Sequence, residues 1–366
     1  MPLLFSAQDT RWMARALQLA EQGRRSTAPN PRVGCVIAHG DLVVGEGWHQ
    51  RAGEPHAEVH ALAAAGVAAQ GATAYVTLEP CSHTGRTPPC ADALIRAGVS
   101  RVVVAMQDPN PLVGGQGLAR LAAAGIATTV GVLEAEVREL NRGFISRMVR
   151  GRPWVTVKLG ASVDGKTALA DGRSQWITRP AARADVQRMR AEVGAMLTGA
   201  GTVCADLPRL TVRDQPDARQ PLRVVVDGVL RTPPHAPLYT DGGASCVATA
   251  RPLTDPAAQR LLAQGVAVWS LPAAGGERVD LPALLTRLAT DAQINEVLVE
   301  AGMGLAGALA AAGLVDEWVI YLAPMLVGHS GRGLVDFAPL PDLAAAPRLT
   351  WHDCRRVGDD MRLTLR

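Results

Sequence analysis

Four side chains in the first hundred residues are spaced for chemistry. His56 and Glu58 stand two apart in EPHAEVH, and Cys81 and Cys90 lie in EPCSHTGRTPPC. One imidazole and two thiolates form a soft donor set suited to zinc, with a fourth position left for water. Zn2+ held there brings hydroxide within reach near neutral pH. A carboxylate that is close to the metal without binding it, the place Glu58 would take, accepts and returns the proton. Plainer readings stand beside this one. Cys81 and Cys90 could close a disulfide, His56 after Pro55 could simply begin a helix, and Glu58 in a first turn suits the helix dipole. His60 and His83 compete as ligands, although His60 is expected on a helix face and His83 against substrate or solvent.

The neighbouring elements favour the metal. The apolar run ATAYVTL reads as a strand ending at Glu79-Pro80-Cys81, where a sheet meets its ligand crevice. Pro88 and Pro89 precede Cys90, which opens the helical segment ADALIRAG, and a thiol at a helix start loses its proton more easily. In order, these residues follow the H-x-E…P-C…C pattern of zinc-dependent nucleoside and base deaminases. The chain departs from that pattern by placing eight residues between the cysteines where two are usual. The intervening SHTGRTPP is polar, and its Arg86 and His83 are candidate contacts for a phosphorylated substrate.

A chain of 366 residues predicts two domains, and we place them at 1–150 and 151–366. The first reads α-β-β-α-β-α-β-α-β-α, which describes a three-layer α/β/α fold. At RMVRGRPWVTVKL a basic Gly/Pro-containing join leads into a fresh strand and the pattern restarts. The second half is also α/β, but its last strands follow one another without a helix, so a mixed sheet with an antiparallel edge is expected. Net charge of +3 and 4% aromatic residues give neither the field nor the stacking platforms of a nucleic-acid binder. The N-terminus has neither a signal peptide's pattern nor a membrane span's, so a cytoplasmic protein with reduced cysteines is expected. The sequence leaves a homo-oligomer open.

The basic residues comprise 35 arginines and two lysines, Lys158 and Lys166, both within VKLGASVDGKTAL. Its small residues would let a flat ring approach the backbone. Gly302-Met303-Gly304-Leu305-Ala306-Gly307 spells G-x-G-x-x-G between a strand and a helix, which suits a phosphate at a helix N-terminus. It lies late in its domain and no acid follows at the Rossmann distance, so a non-Rossmann cradle is the better reading. Arg190 and Arg213 are candidate anchors for a substrate phosphate. Lys158, Asp206 and Glu300 are the candidate acids.

These residues sit in longer stretches that resemble one family. PNPRVGCVI, GWHQRAGEPHAEVHAL, TLEPCSHTGRTPPC, MQDPNP, KLGASVDGKTA, SQWIT, GTVCADLPRLTVR and VEAGMGLAGAL resemble the bifunctional deaminase–reductase of riboflavin biosynthesis, through both halves and including the eight-residue cysteine gap. The resemblance implies a cytidine-deaminase-like first domain acting on 2,5-diamino-6-(5-phosphoribosylamino)pyrimidin-4-one. It implies a dihydrofolate-reductase-like second domain that uses NADPH to reduce the ribosyl group to ribityl. By motif, His56, Cys81 and Cys90 would hold zinc, Glu58 would shuttle the proton, and Asn30 would touch substrate. Substrate contacts in the second half would be Ser174, Arg190, Leu210, Arg213 and Glu300, with Lys158 beside them. The cofactor would meet Gly160, Trp176, Thr202, Asp206 and the run Gly302, Met303, Gly304, Leu305, Ala306, Gly307 and Ala308. Leu207 departs from the family's usual Asp-Asp-Pro. A competing reading keeps the zinc deaminase, gives it a nucleoside or RNA substrate, and makes the second half a targeting module.

Overall fold

Ser6 and Asp9 start the first helix with a capping box, each side chain accepting the other's backbone N–H. In the computed structural model, which describes residues 5–82, 89–111, 113–215 and 218–366, the chain divides into two compact units, Met1–Gly151 and Arg152–Arg366.

The first unit runs α1 (Ala7–Glu21), β1 (Gly34–His39), β2 (Leu42–Trp48), α2 (Ala57–Ala65), β3 (Thr73–Leu78) and α3 (Cys90–Arg96). It continues with β4 (Arg101–Met106), α4 (Gln116–Ala123), β5 (Ala127–Val130), α5 (Glu134–Leu140) and α6 (Arg142–Arg150). The sheet order is β2-β1-β3-β4-β5, with β1 antiparallel to both neighbours and the rest parallel. Helices cover both faces, and the glycines show why they fit. A Cβ on Gly34 would fall 2.0 Å from the Ala16 carbonyl oxygen of α1, and one on Gly47 only 2.5 Å from that of Ala57 in α2. Gly34 and Gly47 belong to adjacent register positions and so to opposite faces. The spelling GEG in β2 therefore lets α2 lie hard against the strand, and that contact fixes where His56 and Glu58 point.

The second unit runs β6 (Trp154–Ser162), α7 (Pro180–Glu192), β7 (Ala195–Gly199), α8 (Ala200–Asp206), β8 (Leu222–Val226), α9 (Pro237–Thr240), β9 (Ser245–Thr249) and α10 (Pro256–Ala263). It ends with β10 (Ala267–Ser270), α11 (Leu281–Thr290), β11 (Glu296–Val299), α12 (Met303–Ala311), β12 (Glu317–Ala323), β13 (Trp351–Val357) and β14 (Asp360–Leu365). Nine strands lie in the order β10-β9-β8-β7-β11-β6-β12-β14-β13. Those from β10 to β12 are parallel, and β14 and β13 close the sheet antiparallel. The central strands carry near-continuous buried apolar runs such as EVLV and LRVVV, as strands covered on both faces must. Periodicity did not predict α6, α8 or α9: α8 directly continues β7, and α9 is a single turn. Among the described residues no helix is long and apolar enough to cross a membrane.

Candidate active sites

His56 is the N-cap of α2, Cys81 follows the end of β3, and Cys90 is the first residue of α3. Three separate element ends thus converge. His56 Nδ1 lies 3.6 Å from Cys81 Sγ and 3.3 Å from Cys90 Sγ, and the three donor atoms all fall within 4.8 Å of one another. Tetrahedral zinc bonded to nitrogen and sulfur sets its ligands roughly 3.5–3.8 Å apart, so the donors present fit that ion in type and spacing. Hydrogen bonding between the sulfurs splits their titration. The bond from Cys90, helped by His56, holds the Cys81 thiol down at about 4, and that same bond plus burial drives Cys90 well up. The cluster favours negative sulfur, and a cation is what would let both thiols ionise. No disulfide joins them.

Glu58, in the first turn of α2, is 3% exposed. Burial raises its carboxyl to about 7 against the opposing pull of His56, the range in which a carboxyl both gives and takes a proton near neutrality. His60 stands outside the donor cluster, with Nε2 buried and unpartnered among the described residues. His83 and Arg86 lie outside the described residues.

Two further residues of this site carried no signal in the motif. His49 is buried, its ring edge-on to His56 at 5.3 Å, and its Nε2 lies 3.0 Å from Asn30 Nδ2. An Asn amide nitrogen can only donate, so His49 Nε2 accepts and its Nδ1 donates to the Pro55 carbonyl at 3.1 Å. Burial lowers the His49 pKa, in keeping with a neutral ring. Glu79 is buried and accepts four backbone N–H groups, from Asp108, Gly115, Gly117 and Leu118, at 2.8–3.2 Å. It ties the strand end carrying Cys81 to the loop after β4. Glycine 117 is required there, because a Cβ would meet the Pro80 carbonyl oxygen at 2.0 Å.

The second unit holds a cavity of about 1370 Å³ at the carboxyl ends of the parallel strands. Lys158, Gly160, Ser174, Trp176, Arg190, Thr202, Asp206, Leu210, Arg213 and Glu300 all line it, as do Gly302, Met303, Gly304, Leu305 and Ala308. Ala306 and Gly307 do not. Both are buried on the inner side of α12, and a Cβ on Gly307 would sit 2.1 Å from the Asp336 carbonyl oxygen. The third glycine of the motif serves packing, while Gly302, the N-cap, faces open space and donates its N–H to Thr202 Oγ1 at 3.2 Å.

Glu300 is the electrostatic centre of this cavity. Arg190 grips its two oxygens through Nε and Nη2 at 2.6 and 2.9 Å, and Lys158 Nζ lies 3.8 Å away. Burial alone would raise its pKa, but Arg190 first and Lys158 next outweigh burial and hold it at about 2. Asp164, within the same small-residue segment, braces a turn, accepting from Ser162 Oγ and the Val327 and Gly328 amides. Trp176 is exposed and lies under the Arg183 guanidinium at 4.6 Å. Leu207 has φ of 44°, left-handed backbone at the end of α8.

Both units have relatives. Residues 153–363 match the RibD C-terminal domain model, and residues 6–106 match the cytidine and deoxycytidylate deaminase zinc-binding region. The chain is 51% identical to the riboflavin biosynthesis protein RibD of Escherichia coli over 98% of its own length and 99% of the relative's. The solved structure of Acinetobacter baumannii RibD superposes with a TM-score of 0.90 at 44% identity, covering 98% of each chain. A diaminohydroxyphosphoribosylaminopyrimidine deaminase/5-amino-6-(5-phosphoribosylamino)uracil reductase from Thermotoga maritima superposes at 0.85 with 31% identity, again over 98% of each.

Proposed function

The chain belongs to the RibD family of riboflavin-biosynthesis proteins, and on that premise we propose a division of labour between its two units. The enzyme is bifunctional, a zinc-dependent deaminase and an NADPH-dependent reductase. In our reading residues 1–151 remove ammonia from 2,5-diamino-6-(5-phosphoribosylamino)pyrimidin-4-one, and residues 152–366 reduce the ribosyl group of the product to ribityl. What supports this reading is that each unit gathers a group of its own: a donor triad beside a buried acid in one, a dinucleotide-sized cavity around a charged centre in the other.

For the first reaction, His56, Cys81 and Cys90 would hold zinc, which when bound activates water as a nucleophile. Glu58 takes the proton of that water and passes it to the pyrimidine and the departing amine, so that water and a C–NH2 group become C=O and NH3. Asn30, oriented by His49, faces the substrate as a hydrogen-bonding wall.

For the second reaction, hydride transfer depends on alignment. Gly160 leaves room for the nicotinamide, Trp176 caps it, and Thr202 with Gly302–Leu305 supports the phosphates. The Arg190 fork keeps Glu300 ionised, which makes Glu300 an acceptor for substrate hydroxyls and removes it from the candidate acids. Lys158 is then the best-placed proton donor, ahead of Asp206. Arg213 offers the substrate phosphate a guanidinium. We place the enzyme in the cytosol, where its thiols stay reduced.

The test is an assay with the phosphoribosylaminopyrimidine and NADPH that follows ammonia release and NADPH oxidation separately. Both should occur, and pre-deaminated substrate should support NADPH oxidation alone. Ammonia release from an unrelated nucleoside with no NADPH oxidation on either pyrimidine would defeat the assignment.

A further inference from the structure

Arg213, the guanidinium offered to the substrate phosphate, stands on a segment after α8 that has no helix or strand of its own. Three of its residues, Leu207, Leu210 and Asp214, have left-handed backbone with φ of 44°, 54° and 56°. Side chains other than glycine keep such backbone only where the surroundings impose it.

The surroundings here are two buried side chains and a row of polar ties. Leu210 and Val212 are buried, Leu210 against Met196 of β7 and Leu298 of β11. Four consecutive backbone groups are then held by side chains. The Thr211 carbonyl accepts from Arg190 Nη1 at 2.9 Å. The Val212 N–H donates to Gln220 Oε1 at 2.9 Å, and its carbonyl accepts from Gln220 Nε2 at 3.0 Å. The Arg213 N–H donates to Gln187 Oε1 at 2.9 Å. Gln187 and Arg190 are three apart on α7, so one face of that helix holds both ends of the run 211–213.

The two glutamines differ in what they leave over. Gln220 is exposed and commits both ends of its amide to Val212. Gln187 is 9% exposed, lines the cavity and commits one end. A backbone N–H can only donate, so the atom it meets is the amide oxygen and the atom left over is the NH2 group. Among the described residues Nε2 has no hydrogen-bond partner, and it is not one of the sealed polar atoms, so it keeps contact with the cavity. The Arg213 guanidinium is likewise without a hydrogen bond among the described residues, on an exposed side chain. Two donors on adjoining residues of one cavity wall therefore lack acceptors, and a buried amide donor calls for one.

We propose that Gln187 is a substrate-binding and specificity residue of the reductase. Its Oε1 sets the backbone of Arg213, and its Nε2 donates to an oxygen of the substrate phosphate beside the Arg213 guanidinium. The proposal rests on the reading that Arg213 meets that phosphate. A phosphate monoester presents three strongly accepting oxygens, and a guanidinium fork engages two of them. The third suits a neutral donor. A substrate without the phosphate leaves both donors unfilled, which sets the preference for the phosphorylated form.

Steady-state reduction of the pre-deaminated pyrimidine and of its 5′-dephosphorylated counterpart, each with saturating NADPH, reads this contact. Wild type should favour the phosphorylated compound. Gln187→Glu keeps an oxygen for the Arg213 N–H and replaces the donor with a negative charge. It should raise KM for the phosphorylated compound by about thirtyfold and for the dephosphorylated one by no more than about threefold. Its kcat and KM for NADPH should stay within about threefold and its Tm within about 2 °C. Gln187→Met gives up both bonds, so Tm should fall as well, with KM for the phosphorylated compound up by about tenfold. If wild type reduces neither compound, the reductase reading itself fails. If it reduces both equally well, the phosphate reading of Arg213 fails, and Gln187 with it. If wild type favours the phosphorylated compound and Gln187→Glu keeps that preference in full, Gln187 is overturned while the Arg213 reading stands. The same criterion applied to Gln187→Met decides where the carboxylate variant does not fold.

Discussion

The two sites are built on opposite plans. The first unit gathers three short element ends around chemically rare residues, and its acid lies 3% exposed beneath them. The second unit spreads a cavity of about 1370 Å³ over segments running from residue 158 to residue 332, with glycine, arginine and alanine the most frequent residues in its lining. In the first, side-chain identity makes the chemistry. In the second, ordinary side chains gain a role from their place at the carboxyl ends of parallel strands. The first plan should therefore fail abruptly at single atoms and the second by degrees.

The largest effect should come from Glu58→Gln. It should lower ammonia release by about a thousandfold or more and leave reduction of pre-deaminated substrate within about twofold, as paired assays would record. Loss of both activities in a folded variant would break the separation of sites. Dialysis against a chelator should abolish ammonia release and spare NADPH oxidation, with metal analysis showing stoichiometric loss of zinc; Cys90→Ser should reproduce both results.

Next comes Glu300→Gln in the second unit, which strands Arg190 and Lys158. Reduction should fall by about a hundredfold, with ammonia release intact, and stability at pH 7 by about 3 kcal/mol. The pH dependence follows from the sign of the shift. Glu300 is depressed from an ordinary 4.5 to about 2, so its contribution is fully present above pH 4.5 and is lost as pH falls toward 2. Urea unfolding should show wild type and variant converging across that window, and a constant gap would refute the charged-centre account.

Glu79→Ala tests the clamp on the first site. Freeing four backbone donors, one of them buried and three half-buried, should cost the first unit about 3 kcal/mol, measured by denaturant unfolding, and should speed the loss of zinc to a chelator. The smallest effect belongs to Leu207→Asp. Left-handed backbone costs a leucine roughly 1 kcal/mol more than glycine and an aspartate somewhat less, so Tm should rise by about 1–2 °C. KM for NADPH should stay within about twofold; a marked drop would give the acid at this position a cofactor contact instead.

Much of the fold was legible. Alternation and helical spacing marked the strands of both sheets and most helices, and the closing strands without a helix between them indicated the antiparallel edge that β14 and β13 form. The helices that were missed have physical reasons. The start of α8 reads as the tail of strand β7, and α9, four residues long, is too short to show a period.

Residue identity alone singled out His56, Cys81 and Cys90, whose donor atoms lie within 4.8 Å of one another, and Glu58 near them. His56, Glu58, Cys81 and Cys90 are rare, reactive types whose local spacing reports directly on chemistry. Only tertiary structure decided the rest. That Glu79 gathers four amides from the loop after β4 and the start of α4, that His49 orients Asn30, and that Gly307 packs while Gly302 faces the cavity are long-range facts. A carboxylate's partners, an imidazole's tautomer and a glycine's neighbour are set by which backbone folding brings within 3 Å, and local sequence carries no record of that distance.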